Sequence, residues 1–233
     1  MPKTVAIVPA AGTGVRMGGD CAKQYLRLHD RPILAITLLA LQNCSMLDAI
    51  VLVVPPKDVS YCEREIVLKY AISKVKKVVA GGELRQDSVR KGLEATNGRY
   101  DLVLIHDGVR PMVTESLIEA VIETALRERA AIAALPAKET VKTVNKTRQV
   151  TATYDRKKVW MVQTPQVFYY DDILKAHLKA VADGMREATD DAFLVENLGI
   201  PVSVVPGSER NIKVTTPHDL ALAQFLLELE HSG

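Results

Sequence analysis

The chain has 233 residues, 48% of them hydrophobic and 25% charged, a globular balance that fits one large domain better than two. Its formal net charge of +2 excludes nucleic-acid binding by bulk electrostatics, so any affinity for phosphate must come from local placement of Lys and Arg. Cys21, Cys44 and Cys62 form no CxxC and read as reduced thiols of a cytoplasmic protein, not as a disulfide or metal framework. No basic segment followed by a long apolar stretch marks a signal peptide. The longest apolar segment, Ile33 to Leu41, is too short to span a bilayer.

Short β-branched runs alternate with segments of helical period. Val5–Val8, Ile50–Val54, Val78–Val79 with their neighbours, Leu102–Ile105 and Ala131–Leu135 read as strands covered on both faces. Pro32–Gln42, Val59–Tyr70, Leu84–Thr96 and Glu115–Arg129 read as helices, with Thr114 as N-cap of the last. This alternation predicts an α/β fold, a doubly wound and mostly parallel sheet. The pattern breaks after Leu135. Glu139–Val144 and Gln149–Tyr154 alternate polar and apolar residues around the turn Asn145–Arg148, a β-hairpin with little core of its own. Such a hairpin has to pack on something, and a second copy of the chain is the economical partner. The α/β pattern resumes with a strand at Val159–Val162, helices near Ile173–Val181 and Asp191–Leu198, a strand at Val202–Val205 and a helix from about His218 to Leu229. The whole, 1–233, reads as a single domain, with 137–157 inserted as an arm.

The first strand runs into Pro9-Ala10-Ala11-Gly12-Thr13-Gly14-Val15-Arg16-Met17, with Lys23-Gln24-Tyr25 close behind. Small residues let a ligand approach the backbone there, N–H groups can face oxygen anions, and Arg16 and Lys23 add fixed charge. Met17 stands where a dinucleotide fingerprint needs its third glycine, and no GK[ST] follows, so neither an NAD site nor a P-loop is read. Gly81-Gly82-Glu83, ahead of Ser88, is either a tight turn or a second ligand-facing loop whose backbone reads a base edge. Asp107, after the fourth strand, can hold Mg²⁺ or a ribose hydroxyl, or only cap a neighbouring N–H with Arg110 pairing it. His106 reads as a satisfied core histidine rather than a base. Lys213, between apolar residues late in the chain, is the third cation that a triphosphate site needs. Asp190 by itself reads as an ordinary acidic helix start, and Thr140 and Arg156 as arm-surface residues.

In order and spacing, PAAGTGVRM with KQY, AGGELRQDSV, IHDGVRP, KETVK, YDRKKVWMVQTPQ, ATDDA and RNIKVTTPHDL resemble the 2-C-methyl-D-erythritol 4-phosphate cytidylyltransferases. The resemblance implies a Rossmann-like domain with a protruding β-hairpin arm that interlocks a homodimer. It implies transfer of CMP from CTP to methylerythritol phosphate with Mg²⁺. It places Arg16, Lys23 and Lys213 on the phosphates, and Ala10, Ala11, Gly12, Gly14, Gly82, Glu83, Ser88 and Asp107 around the nucleotide, Asp107 also on the metal side. It places Thr140, Arg156, Thr164, Thr189 and Asp190 on the acceptor, the first two from the partner subunit. Two positions depart from the family pattern: Glu83 replaces the frequent Asp, and Gly108-Val109 replaces an Ala-Ala or Gly-Ala pair. Because the attacking phosphate is already ionised, direct displacement is expected, without a covalent intermediate. The rivals are transfer to another pentitol phosphate such as ribitol 5-phosphate, an NAD-linked oxidoreductase, and a non-catalytic nucleotide binder.

Overall fold

In the computed structural model, residues 2–12 and 22–231 are described, side chains up to 229. The elements in chain order are strand β1 (Thr4–Pro9), the short pair β2 (Arg27–Leu28) and β3 (Arg31–Pro32), helix α1 (Ile33–Asn43), strand β4 (Ala49–Val54), and a helical turn α2 (Val59–Tyr61) that widens into a π-helix at Cys62–Leu68. Next come β5 (Val75–Ala80), α3 (Arg85–Thr96), β6 (Leu102–Ile105), α4 (Glu115–Glu128) and β7 (Ala130–Pro136). The hairpin strands β8 (Lys142–Val144) and β9 (Val150–Thr153) precede β10 (Trp160–Tyr169), α5 (Tyr170–Ala182), α6 (Asp191–Glu196), β11 (Ser203–Pro206) and α7 (Pro217–His231). No helix among the described residues is long and apolar enough to cross a membrane.

Seven strands form one sheet in the order β11-β7-β10-β6-β1-β4-β5. β1 pairs in parallel with β4 and β6, β4 with β5, and β7 with β11, while β10 runs antiparallel between β6 and β7. The expected mostly parallel sheet is therefore present, with β10 reversed. The reading stopped that strand at Val162. It continues to Tyr169 past a register shift between Val162 and Gln166, where Pro165 lacks the N–H a regular ladder needs.

Strand pleating sorts the core. Ala6 and Val8 face one layer with Leu34, Leu38 and Leu41 of α1 and Ile118, Val121 and Ile122 of α4. Val5 and Ile7 face the other, with Val89 and Leu93 of α3, Ile173 and Ala176 of α5, and Leu194 and Val195 of α6. Thr114 caps α4 as read, accepting the Leu117 N–H at 3.3 Å. Gly92 brings α3 close to the sheet, since a Cβ there would stand 2.6 Å from Ile7 Cγ2. Across the β2–β3 pair, α7 packs Leu227 and Ala223 on Leu28, Ile33, Val109, Met112 and Val214, which ties the late segment carrying Lys213 to the loop after β6.

All residues of β8 and β9 are exposed. The hairpin is held by its own ladder and by polar links such as Thr143 to Thr151 at 2.9 Å. Val144, Val150, Tyr154, Trp160 and Met161 expose apolar surface along it.

Candidate active site

Six of the seven strands end their carboxyl termini along one edge of the sheet, and the loops that leave them build two adjoining cavities. The first, about 190 Å³, is lined by Ala10, Ala11 and Gly12 after β1, Gly82 and Glu83 after β5, Ser88 and Arg85 of α3, Asp107 after β6, and Lys23 and Lys213. The second, about 250 Å³, is lined by Thr164 and Gln166 of β10, Thr189, Asp190 and Arg110, and again by Arg85, Asp107 and Lys213. Those last three residues form the wall between the cavities. Lys23 and Lys213, far apart in sequence, thus share one cleft. Arg16 and Gly14 lie outside the described residues. Thr140 and Arg156 line neither cavity. Both are exposed on the arm, where Arg156 donates to the Lys138 carbonyl at 3.0 Å.

The local backbone explains the cleft. Gly108 N–H donates to the Pro9 carbonyl at 3.2 Å and Ala10 N–H to Val53 O at 2.7 Å, holding the first and fourth loops together. At Gly81 an added Cβ would lie 2.5 Å from Ala11 Cβ and 2.8 Å from Ser88 Oγ, so only glycine lets these loops approach. Ser88 Oγ accepts the Gly82 N–H at 3.2 Å and donates to Leu84 O at 3.1 Å. Its hydroxyl thereby clamps the Gly82 loop. Glu83 sits exposed at the rim, 3.4 Å from the equally exposed Arg186, a pair of little energetic weight. Lys23 rides on a 3₁₀ turn anchored by Tyr25, whose hydroxyl lies 3.1 Å from Asp58 and 3.3 Å from Cys62.

Asp107 is the electrostatic centre. Its Oδ1 accepts from Arg85 Nε at 3.1 Å, and its Oδ2 is 2.9 Å from Lys213 Nζ and 3.6 Å from Arg110 Nε. Burial alone would raise its pKa, but the charges of Arg85, Lys213 and Arg110 reverse this and hold the carboxyl well below the usual range. A magnesium ion fits poorly on it. Both oxygens are already taken by cations, and a divalent ion would have to displace one of them. Among the described residues, the one grouping of three metal-capable side chains is Cys44, Glu115 and Glu119, which lines neither cavity, and its thiol is an unsuitable ligand for Mg²⁺.

His106 is fully buried. Its Nε2 faces the Arg110 carbonyl at 3.2 Å, an acceptor only, so Nε2 carries the proton. Thr164 Oγ1 accepts the Asp107 N–H at 3.0 Å and donates its own proton to His106 Nδ1 at 3.1 Å. Thr164 therefore fixes Asp107 while facing the second cavity. Burial pushes the His106 pKa down to about 4, so the ring is neutral and in use at neutral pH, as read from the sequence. In the unfolded chain it takes up a proton near pH 6.5, while in the fold it does so only near 4. Stability from this group is full above pH 6.5, falls as pH drops, and is lost below about 4, a change of up to about 3 kcal/mol. Urea unfolding of wild type and His106→Gln from pH 7 to 4 is expected to show a shallower pH slope in the variant. Equal slopes would refute the buried neutral ring.

Asp190 caps α6, accepting the Phe193 N–H at 2.9 Å, and accepts from Gln166 Nε2 at 2.9 Å. Its ordinary role as a helix cap and its place on the second cavity coexist. Arg110, read from the sequence as a pairing partner of Asp107, stands 3.6 Å from it, whereas Arg85 lay inside its motif without a role. A polar residue after a double glycine carries no signal that its side chain turns back onto the β6 loop. Asp191 was missed for the same reason: it is buried behind the cleft, 2.6 Å from Arg85 Nη1.

The family model for 2-C-methyl-D-erythritol 4-phosphate cytidylyltransferase matches residues 4–229. Relatives of that name from Syntrophus aciditrophicus and Desulforamulus reducens are each 50% identical to the chain, covering 98% of it and 97% of their own length. A crystal structure of 4-diphosphocytidyl-2C-methyl-D-erythritol synthase from Anaerococcus prevotii superposes with a TM-score of 0.85 at 33% identity, over 97% of this chain and 96% of that one. The 2-C-methyl-D-erythritol 4-phosphate cytidylyltransferase of Thermus thermophilus superposes at 0.77 and 32% identity, over 98% and 100%. Matches of this extent and identity, over a fold and cleft of the expected kind, show that the chain belongs to the 2-C-methyl-D-erythritol 4-phosphate cytidylyltransferase family.

Proposed function

We propose that this enzyme transfers CMP from CTP to 2-C-methyl-D-erythritol 4-phosphate, giving 4-diphosphocytidyl-2-C-methyl-D-erythritol and pyrophosphate. The observation that carries the mechanism is the wall of Arg85, Asp107 and Lys213 between two adjoining cavities. CTP occupies the first, with its base against the Gly82–Glu83 backbone and its phosphates toward Lys23 and Lys213. The acceptor occupies the second, beside Thr164, Thr189 and Asp190. An oxygen of the acceptor phosphate attacks the α-phosphorus in line, the bond from that phosphorus to the bridging oxygen breaks, and pyrophosphate leaves with the electron pair. Two anions must approach and negative charge grows on the non-bridging oxygens, so fixed cations answer both problems. Arg16 belongs to the same phosphate group in this reading. Magnesium enters it only as a companion of the triphosphate, because no cradle on Asp107 fits the ion.

The reading places the reaction in the cytoplasm, and makes residues 137–157 a dimerisation arm on an otherwise single domain. Its exposed apolar residues and the lack of cavity contacts by Thr140 and Arg156 support a role in the partner subunit's site. Arg156→Ala is expected to raise KM for the sugar phosphate at least tenfold while KM for CTP changes less than threefold. A larger change for CTP would contradict the arm assignment. Acceptor choice is tested by supplying methylerythritol 4-phosphate and ribitol 5-phosphate side by side. Preference for the former is expected, and equal or reversed use would overturn it. The family match does not favour the ribitol alternative.

A further inference from the structure

Behind the cleft lies a buried polar chain that the phosphate contacts above do not use. His177 of α5 is fully buried, and its Nε2 is 3.1 Å from Asp191 Oδ1. Asp191, 1% exposed at the start of α6, accepts from Arg85 Nη1 at 2.6 Å through its other oxygen. Arg85 in turn reaches Asp107 Oδ1 through Nε. Elements distant in sequence (α3, α5, α6 and the loop after β6) thus converge on one guanidinium. His177 Nδ1 has no hydrogen-bond partner among the described residues. The ring is kept in the core for one bond, the one that faces Asp191, despite leaving a polar nitrogen unpaired.

A guanidinium carries five N–H donors in a fixed plane. On Arg85 one Nε–H and one Nη1–H are bonded to two different carboxylates, which fixes both the position and the plane of the fork. Its side chain lines both cavities, at the wall where the two substrate anions must meet. The remaining donors match the bidentate geometry of a phosphate.

We propose that Arg85 is a catalytic residue that binds the phosphate groups at the junction of the two cavities, and that Asp191, backed by His177, positions it. This rests on the cytidylyltransferase reading. A lysine would supply charge there but no planar fork held from two sides. The carboxylates keep the cation from collapsing onto either phosphate alone, so it can serve the nucleotide and the acceptor in one step.

The test is a cycle of variants of the full chain, with pyrophosphate release measured at saturating CTP and methylerythritol 4-phosphate and CTP affinity measured by calorimetry. Arg85→Met is expected to lower kcat about 100-fold. Asp191→Asn and His177→Leu are each expected to lower kcat about tenfold in the wild-type background and less than twofold in the Arg85→Met background, because their effect passes through Arg85. His177→Gln, which can offer an amide N–H to Asp191, is expected to recover kcat to within threefold of wild type. A merely structural role would give the same factors in both backgrounds, and this outcome overturns the positioning claim. If His177→Leu does not fold, Asp191→Asn carries the same cycle. A loss of kcat under tenfold in Arg85→Met overturns the catalytic claim. A wild type that binds CTP but releases no pyrophosphate defeats the cytidylyltransferase reading instead. In that case CTP affinity decides: a loss of fivefold or more in Arg85→Met upholds the phosphate contact, and a smaller one overturns it.

Discussion

Lys213→Ala is expected to lower kcat by two to three orders of magnitude, an effect of about 3–4 kcal/mol on the transition state, while leaving the fold intact. Lys213 Nζ stands on the wall between the cavities, 2.9 Å from Asp107, with its side chain 37% exposed. In the proposed binding mode its charge faces the α-phosphate. Its removal costs little to the folded protein, because Asp107 keeps Arg85 at 3.1 Å and Arg110 at 3.6 Å. Steady-state kinetics beside a thermal melt separates the two effects. Activity within tenfold of wild type would remove Lys213 from the reaction, and a large loss of melting temperature would make its role structural.

Asp107→Ala is expected to behave differently and to damage both properties. The carboxylate is 7% exposed and balances three cations at once. Arg85 retains Asp191, but Arg110, itself buried, and Lys213 lose their partner carboxylate. Removing one member of a buried ionic cluster typically costs about 3–5 kcal/mol, since the charges left behind stay desolvated without compensation. Urea unfolding at neutral pH measures this directly. Because the orphaned cations suit an incoming anion, pyrophosphate is expected to stabilise the variant more than the wild type. A variant of wild-type stability, or one indifferent to pyrophosphate, would contradict the assignment of Asp107 as the counter-charge of the cleft.

Much of the fold could be read from local pattern because local pattern is what builds it. Val5–Val8 and Leu102–Ile105 are continuous apolar runs, and they became central strands buried on both faces. Thr114 signalled the start of α4, and the alternation around Asn145–Arg148 signalled the hairpin. The reversed strand was only half legible, since Pro165 and the shifted register hide the continuation of β10 from any periodicity. The site divided in the same way. Lys23 and Lys213 were visible as cations near small residues and strand ends. Arg85 and Asp191 were not, because a charge hidden in a helix start looks like ordinary solvated surface until the chain is folded, and His177, in the middle of α5, carries no mark of its distant partner. Asp107 and its pairing with Arg110 were visible, but the added company of Arg85 and Lys213 was not. The sequence offers it as a metal ligand, and the structure surrounds it with cations that already take both oxygens.

The proposal that the cleft brings two substrates to one wall of fixed charge is tested most directly by pyrophosphate release from the purified protein. CTP, ATP, GTP and UTP would each be supplied with and without methylerythritol 4-phosphate. Rapid release is expected with CTP and the acceptor together, and at most a trace with either missing or with another nucleotide. Release from CTP at the same rate without the acceptor, or none in any mixture, would contradict the account.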